Sequence, residues 1–187
     1  MTAKHTVSEY LYPLLIALAL LTKLPVLQWL PEQWSDKHQG QSLLYYPAVG
    51  LILALLLFVI DCLLPDATAP PVAGIIIVTA WVVLTGALHI DGFADSVDAA
   101  CAAHRHTGSA HTPTILAVLK DPAAGPMALA ATVLLICSKI LLMAQMQAFI
   151  LLALITCLVM ARTLALVFMI TTPYVNPNGL AANVVKH

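Results

Sequence analysis

Residues 43–64 read LLYYPAVGLILALLLFVIDCLL, and this stretch decides the class of fold. A helix that crosses a bilayer needs about 20 predominantly apolar residues, and the run has that length. Tyr45 and Tyr46 lie near its start, and tyrosine is enriched where a membrane meets water. The run therefore predicts a transmembrane helix, and with it a membrane protein.

Four further apolar runs occupy residues 11–27, 72–90, 127–144 and 148–170. None alternates with the period of two that marks a barrel strand, and in lipid only helices and closed barrels satisfy every backbone polar group. The sequence therefore predicts an all-α fold, a polytopic transmembrane helical bundle of about five spans. A chain of 187 residues accommodates such a bundle as a single membrane-embedded domain over 1–187.

The composition excludes several other classes of protein. Hydrophobic residues make up 61% of the chain and charged residues only 9%, whereas a soluble domain carries about 25% charged residues. The formal net charge is −1 and no basic stripe is present, which argues against a nucleic-acid partner. The four cysteines lack a C-x-x-C spacing, so we expect small buried apolar residues rather than disulfides or a zinc site.

The segment LHIDGFADSVD at 88–98 begins in the last residues of the third apolar run, 72–90, and carries three aspartates just beyond that run. If it is helical, Asp91, Asp95 and Asp98 lie within about 60° of one face. Like charges at a membrane boundary repel one another unless cations lie among them. Mg²⁺ binds carboxylate oxygens together with substrate phosphates, and Gly92 would let a phosphate approach the backbone. We therefore predict a Mg²⁺ site that receives a pyrophosphate. The alternative is a solvated acidic helix end.

Three more residues are candidate catalytic groups. Lys120 and Asp121 precede the fourth run, where the lysine would neutralise phosphate oxygens and the aspartate would bind metal or accept a proton. An interfacial anchor followed by a helix start at Pro126 explains this segment equally well. Arg162 lies well inside the fifth run, and an ionisable residue at such a position is a candidate functional residue. Its planar guanidinium group can bind two phosphate oxygens at once.

The remaining cations and histidines give weaker signals. Lys23 and Lys139 could line a cationic path to the acidic residues, although Lys23 also suits a snorkelling role at the end of its run. A solvated loop is the favoured interpretation of His104, His106 and His111, and His89 receives no role.

The distribution of positive charge predicts an orientation. With five spans, the 28–42 and 91–126 connections and the C-terminal tail share one side, which carries Lys37, Arg105, Lys120 and Lys186. The opposite side has only Lys4 outside the apolar runs. Because cytoplasmic loops are enriched in lysine and arginine, we expect the 91–126 connection to face the cytoplasm.

The stretch LTGALHIDGFADSVD at 84–98 resembles the signature of the cobalamin synthase family. Its members are also called cobalamin-5′-phosphate synthase or adenosylcobinamide-GDP ribazoletransferase. The segments LTKLP at 21–25, YPAVGL at 46–51 and VLKD at 118–121 with Gly125 occur in the family's order and at similar separations. The resemblance extends from about residue 15 to the end of the chain.

The resemblance implies a multi-pass enzyme of the bacterial inner membrane that completes the nucleotide loop of vitamin B12. Adenosylcobinamide-GDP would react with α-ribazole, or its 5′-phosphate, to give adenosylcobalamin, or its phosphate, and GMP. It also implies a single catalytic domain without the family's C-terminal helices, and Mg²⁺ held by Asp91, Asp95 and Asp98, with Lys120 and Asp121 completing the site. The expected partners are the two substrates and the bilayer. Self-association or association with other cobamide-assembly enzymes stays open.

The sequence departs from the family pattern, and two rival functions are open at this point. The segment 99–106 reads AACAAHRH where the family is richer in glycine and charge, and Ala123 stands where a basic or polar residue is common. A CDP-alcohol phosphotransferase would need an arginine near the place of Asp95 and a second pair of aspartates. A cation transporter would place its acids near mid-span rather than at a boundary.

Overall fold

The computed structural model describes residues 2–30, 36–105 and 123–172. Within these ranges the regular structure is entirely helical and contains no strand, which confirms the all-α prediction. The α-helices are α1 (Thr2–Leu21), α2 (Asp36–Ser42), α3 (Tyr46–Cys62), α4 (Pro70–Thr85), α5 (Leu88–Arg105), α6 (Pro126–Gln145) and α7 (Ile150–Thr171). Short 3₁₀ turns at Leu43–Tyr45 and Gln147–Phe149 directly precede α3 and α7.

Three helical stretches of the described chain are long and apolar enough to cross a membrane, namely Lys37–Cys62, Pro126–Gln145 and Gln147–Thr171. A fourth is present if α4 and α5, which meet at a bend of 87°, count as one span. The polytopic character is therefore confirmed, and the count within the described residues is three or four rather than about five.

The first apolar run is too short a helix to span by itself. The apolar part of α1 covers Leu11–Leu21, about 16 Å of helix against a hydrocarbon core of about 30 Å. The helix ends at Leu21 because the buried Thr22 hydroxyl donates to the Leu18 carbonyl and accepts from the Leu24 N–H. Pro25 follows and lacks an N–H with which to continue the helix.

Helices α1, α2, α3 and α7 form one compact unit. Its main contact is between α3 and α7, which approach so closely at Gly50 that a Cβ there would lie 2.6 Å from the Leu158 carbonyl oxygen. Leu53, Leu57 and Leu154 fill the core around this crossing. Small residues at such crossings let helix backbones pack closely, as in membrane helix pairs.

Helices α4, α5 and α6 form the second unit, in which α6 packs against both of the others. A Cβ on Gly74 of α4 would lie 2.6 Å from the Ile140 carbonyl oxygen of α6. Ile77 and Trp81 of α4 are buried in this unit. The single catalytic domain predicted over 1–187 stays a prediction.

Most residues of the last two candidate spans along the chain are exposed in the protein. Only 11% of the most hydrophobic window of Pro126–Gln145 and 17% of that of Gln147–Thr171 are buried. Exposed side chains include Val133, Leu134 and Phe168. Exposed apolar surface on this scale marks contact with a membrane or a protein partner, and helices of this length suit lipid.

Candidate active site

The acidic segment is helical, as the spacing predicted. Helix α5 runs without a break from Leu88 to Arg105, so Asp91, Asp95 and Asp98 share one of its faces. Asp91 lies in the first turn and is exposed, and the other two are half-buried. A carboxylate in the first turn also interacts favourably with the helix dipole.

A tight reversal of the backbone sets the direction of α5. Gly86 and Ala87 both have φ near 60°, in the left-handed region. Their N–H groups donate to the carbonyls of Val83 and Val82, at 3.1 and 2.9 Å, which closes the end of α4. The left-handed conformation suits glycine but costs a residue such as alanine about 1–2 kcal/mol. The surrounding contacts must offset this cost at Ala87.

A hydrogen bond joins the acidic helix to the start of α6. Asp98 Oδ2 accepts a 2.8 Å hydrogen bond from the backbone N–H of Gly125, the residue that precedes α6. The approach is so close that a Cβ on Gly125 would lie 2.6 Å from Asp98 Oδ1. A bond from an N–H to a carboxylate is stronger than one between neutral groups. Asp98 is therefore held in place by a contact that needs glycine at position 125.

The other two acidic side chains are not engaged in this way. Within the described ranges, no side-chain hydrogen bond or ion pair involves Asp91 or Asp95. No three His, Cys, Asp or Glu side chains of those ranges converge on one point where a metal ion would bind. Mg²⁺ usually takes one or two carboxylates plus waters and substrate phosphates, so two open carboxylates one helical turn apart fit it.

Gly92 lies in the same turn as Asp91 and is exposed. Apart from its chain neighbours and the adjacent backbone of α5, a Cβ added to it would meet no atom of the described residues within 4 Å. The backbone beside the acidic face is therefore open to an approaching group, which is what the predicted phosphate contact requires.

An aromatic cluster packs across the bend between α4 and α5. The His89 ring stacks on the Trp81 ring with centroids 5.2 Å apart and an interplanar angle of 16°. His89 Nδ1 lies 3.1 Å from Thr85 Oγ1, and Lys139 Nζ of α6 lies 3.9 Å from the centroid of the Trp81 ring. No role was predicted from sequence for His89 or for Trp81. The signal was the spacing of Trp81, Thr85 and His89 at steps of four residues.

Arg162 lies in α7, in the first unit, and its side chain is half-buried. Its Nε atom is buried and has no hydrogen-bond partner in the part of the chain that the structure describes. The guanidinium is close enough to the buried Tyr46 hydroxyl of α3 to interact with it electrostatically. Arg162 therefore does not simply face lipid. The acidic residues of α5 lie in the second unit.

The other predicted residues are placed as follows. Lys120 and Asp121 lie outside the described residues, as do His106 and His111. Lys23 is exposed just after α1. His104 belongs to the last turn of α5 rather than to a loop. It borders an open groove of about 570 Å³ on the side of α5 away from the acidic face, lined by Ser96, Val97, Ala100, Cys101, His104 and Met127.

Comparison with known proteins gives the family. The model of the cobalamin-5-phosphate synthase family matches residues 13–187. A protein of Stutzerimonas stutzeri is 41% identical over 173 residues, covering 90% of this chain and 66% of the relative. A Pseudomonas putida protein is 40% identical over 180 residues, covering 94% and 70%. One from Ectopseudomonas mendocina is 40% identical over 173 residues, covering 92% and 68%. All three are named adenosylcobinamide-GDP ribazoletransferase.

The chain therefore belongs to the cobalamin-5-phosphate synthase family, which confirms the resemblance. The relatives are named as transferases, so this is a family of enzymes. Membership in it argues against the two rival functions, a CDP-alcohol phosphotransferase and a cation transporter. The chain spans about two thirds of the length of these relatives. No solved structure matches it.

Proposed function

We propose that this chain transfers the adenosylcobinamide-phosphate group from adenosylcobinamide-GDP to α-ribazole, or to α-ribazole 5′-phosphate, with release of GMP. This is the final assembly step of the nucleotide loop of vitamin B12. The observation that carries the proposal is the acidic face of α5. Asp91 and Asp95 are open there beside the exposed Gly92, in a chain whose relatives are named for this reaction.

The reaction replaces a phosphoanhydride bond of the pyrophosphate with a phosphate ester bond. A ribose hydroxyl oxygen of α-ribazole forms a bond to the phosphorus on the corrinoid side of the pyrophosphate. The bond from that phosphorus to the bridging oxygen breaks, and GMP leaves with this oxygen. The hydroxyl proton passes to a base. Negative charge collects on the transferred group and on the leaving phosphate, and catalysis of such transfers is mainly positioning and charge stabilisation.

The acidic residues are suited to hold a cation against the pyrophosphate. Asp91 and Asp95 would hold Mg²⁺, with Asp98 fixed beside them by Gly125. When bound, the ion would supply positive charge to the phosphate oxygens. The exposed backbone at Gly92 leaves room for those oxygens next to the carboxylates.

Other residues would act on the phosphates and on the proton. Arg162 and Lys120 would neutralise phosphate oxygens, the arginine through its planar fork. Asp121 is the candidate base, because Asp98 is already committed to Gly125. In the sequence Asp121 lies four positions before Gly125, the residue that precedes α6.

The charge distribution supports an inner-membrane location with the acidic helix toward the cytoplasm. If the bent pair of α4 and α5 is one span, the chain has four spans. The N-terminal segment, the connection after α5 and the C-terminal tail then share one side, with Lys4, Lys23, Arg105, Lys120 and Lys186. The connection between α3 and α4 lies on the other side and contains no lysine or arginine. The positive-inside rule assigns the basic side to the cytoplasm, where nucleotide substrates are made.

The proposal is tested by reconstituting the chain in proteoliposomes. We expect GMP release from adenosylcobinamide-GDP that requires both α-ribazole and MgCl₂, with one corrinoid product formed for each GMP. The reconstituted Pseudomonas putida relative is the positive control. Cation flux measured in the same vesicles distinguishes the transporter. Flux without GMP release, while the relative is active, would overturn the proposal.

A further inference from the structure

The bend between α4 and α5 is closed by side chains from three helices. Trp81 of α4 is 5% exposed and Thr85 is fully buried. His89, in the first turn of α5, stacks on Trp81 at 5.2 Å and lies 3.1 Å from the Thr85 hydroxyl. Lys139 of α6 places its ammonium 3.9 Å from the centre of the Trp81 ring. We call Trp81, Thr85, His89 and Lys139 the bend cluster.

The backbone at the bend does not hold this geometry unaided. Ala87 adopts a left-handed conformation that alanine disfavours, so an unsupported chain would relax toward a different angle. The Thr85 hydroxyl also donates to the Trp81 carbonyl at 2.9 Å, which fixes the hydroxyl and thus its contact with His89. Stacked aromatic pairs and a cation over an indole ring are each favourable, so the bend cluster offsets the strain at Ala87.

The bend determines the direction in which the acidic residues of α5 point. His89 and Asp91 occupy the same first turn of α5, and two residues correspond to about 200° of helix rotation. When His89 packs inward on Trp81, Asp91 is therefore turned outward, and it is exposed in the structure. A rotation or tilt at the start of α5 would move Asp91 and Asp95 together.

We propose that His89 is a positioning residue, which acts through Trp81 and Thr85 to fix the angle at which α5 leaves α4 and thereby the direction of Asp91 and Asp95. This inference rests on the proposed function, because it assumes that those carboxylates hold Mg²⁺. His89 itself is not required to touch substrate. The effect of losing it should therefore be reproduced by changing Trp81, which lies on a different helix from the acids.

The first test uses Trp81→Leu and Trp81→Phe in reconstituted enzyme. We expect Trp81→Leu to raise the half-saturating Mg²⁺ concentration for GMP release about tenfold, because losing a group that orients a metal ligand weakens metal binding by about 10–100-fold. Trp81→Phe keeps an aromatic ring and should leave this concentration close to that of the parent chain. Ile77→Ala, at another buried position of α4, is the matched control. It should lower thermal stability without changing the Mg²⁺ dependence. Unchanged Mg²⁺ dependence in Trp81→Leu would overturn the proposal. If turnover were also abolished in His89→Asn, direct contact of His89 with substrate would be indicated instead.

The second test does not depend on activity. Spin labels at the exposed positions Ile75 and Ala100, in a background free of native cysteines, report the distance between α4 and α5. We expect one narrow distance in the parent chain and a broadened or shifted one in His89→Ala and Trp81→Leu. An unaltered distance in both variants would overturn the role of His89. If the parent chain released no GMP but the distances changed as expected, the proposed function would fail while the bend cluster stood.

Discussion

The Asp98 carboxylate accepts a 2.8 Å hydrogen bond from the backbone N–H of Gly125, 27 residues later in the chain. The bond joins the middle of α5 to the residue just before α6. Lys120 and Asp121 lie in the connection between these two helices. One acidic residue of the face is thus held by the fold, and Asp91 and Asp95 are left open. Three similar aspartates on one helix face therefore differ in role.

The first prediction concerns the space at Gly125. In Gly125→Ala, the new Cβ would lie 2.6 Å from Asp98 Oδ1, so the hydrogen bond should break. We expect a loss of about 1–3 kcal/mol in stability, the cost of leaving such a pair unsatisfied, measured by thermal unfolding in detergent. The same substitution in an Asp98→Ala background is the control, and there it should cost much less. Equal losses in both backgrounds would show that Asp98 is not the cause.

Gly92→Ala should have the opposite effect on stability. Its Cβ points into open space, and alanine in a helix is favoured over glycine by about 0.5–1 kcal/mol, so the variant should unfold at a higher temperature. Turnover should nevertheless fall, because the methyl group would occupy the space proposed for phosphate oxygens. A more stable variant with undiminished GMP release would mean that no phosphate approaches this backbone.

Arg162→Lys should keep membrane insertion but lose most activity. A lysine retains the charge without the planar fork that binds two phosphate oxygens at once. The neighbouring Thr163→Ala, which changes an exposed residue on the same helix, should behave as the parent chain does in the same GMP-release assay. Near-normal turnover in Arg162→Lys would indicate that the arginine is only a buried anchor beside Tyr46.

The orientation of the chain predicts where an impermeant reagent will react. A single cysteine at position 109, introduced as Ser109→Cys in a background free of native cysteines, should be labelled only after the cells are permeabilised. The 105–125 connection and the N-terminal segment share the side of the membrane that carries most of the lysines and arginines outside the spans. The positive-inside rule assigns that side to the cytoplasm. Labelling in intact cells would contradict the cytoplasmic assignment. A cysteine at Thr68, in the α3–α4 connection, is the control that should react from outside.

The apolar runs and the spacing of the aspartates correctly predicted the long helices and the acidic helix face. The apolar runs at 43–64, 127–144 and 148–170 became the three long membrane helices, because a helix in lipid needs little beyond apolar length. The spacing of the aspartates likewise predicted one helical face. The orientation and the roles of Lys120, Asp121 and Arg162 stay predictions.

The contacts that shape the site could not be predicted from local patterns. Nothing in the composition predicts that Ala87 adopts a left-handed conformation. The helix formed by the third apolar run nevertheless ends at Thr85, just before Gly86 and Ala87. The contacts of Asp98 with Gly125 and of Lys139 with Trp81 join different helices, so they depend on how those helices pack. Asp98 looked equivalent to Asp91 in sequence, and only the packing of α6 distinguishes the two.

The Mg²⁺ dependence of GMP release decides whether Asp91 and Asp95 hold Mg²⁺ against the pyrophosphate, as proposed. Asp91→Asn, Asp95→Asn and Asp98→Asn keep size and remove one charge each. We predict that the first two raise the half-saturating Mg²⁺ concentration and lower turnover on the order of 10²-fold or more. Asp98→Asn should also lower turnover while keeping an oxygen to accept from Gly125. Mg²⁺ curves that coincide in the parent chain and all three variants would contradict the account.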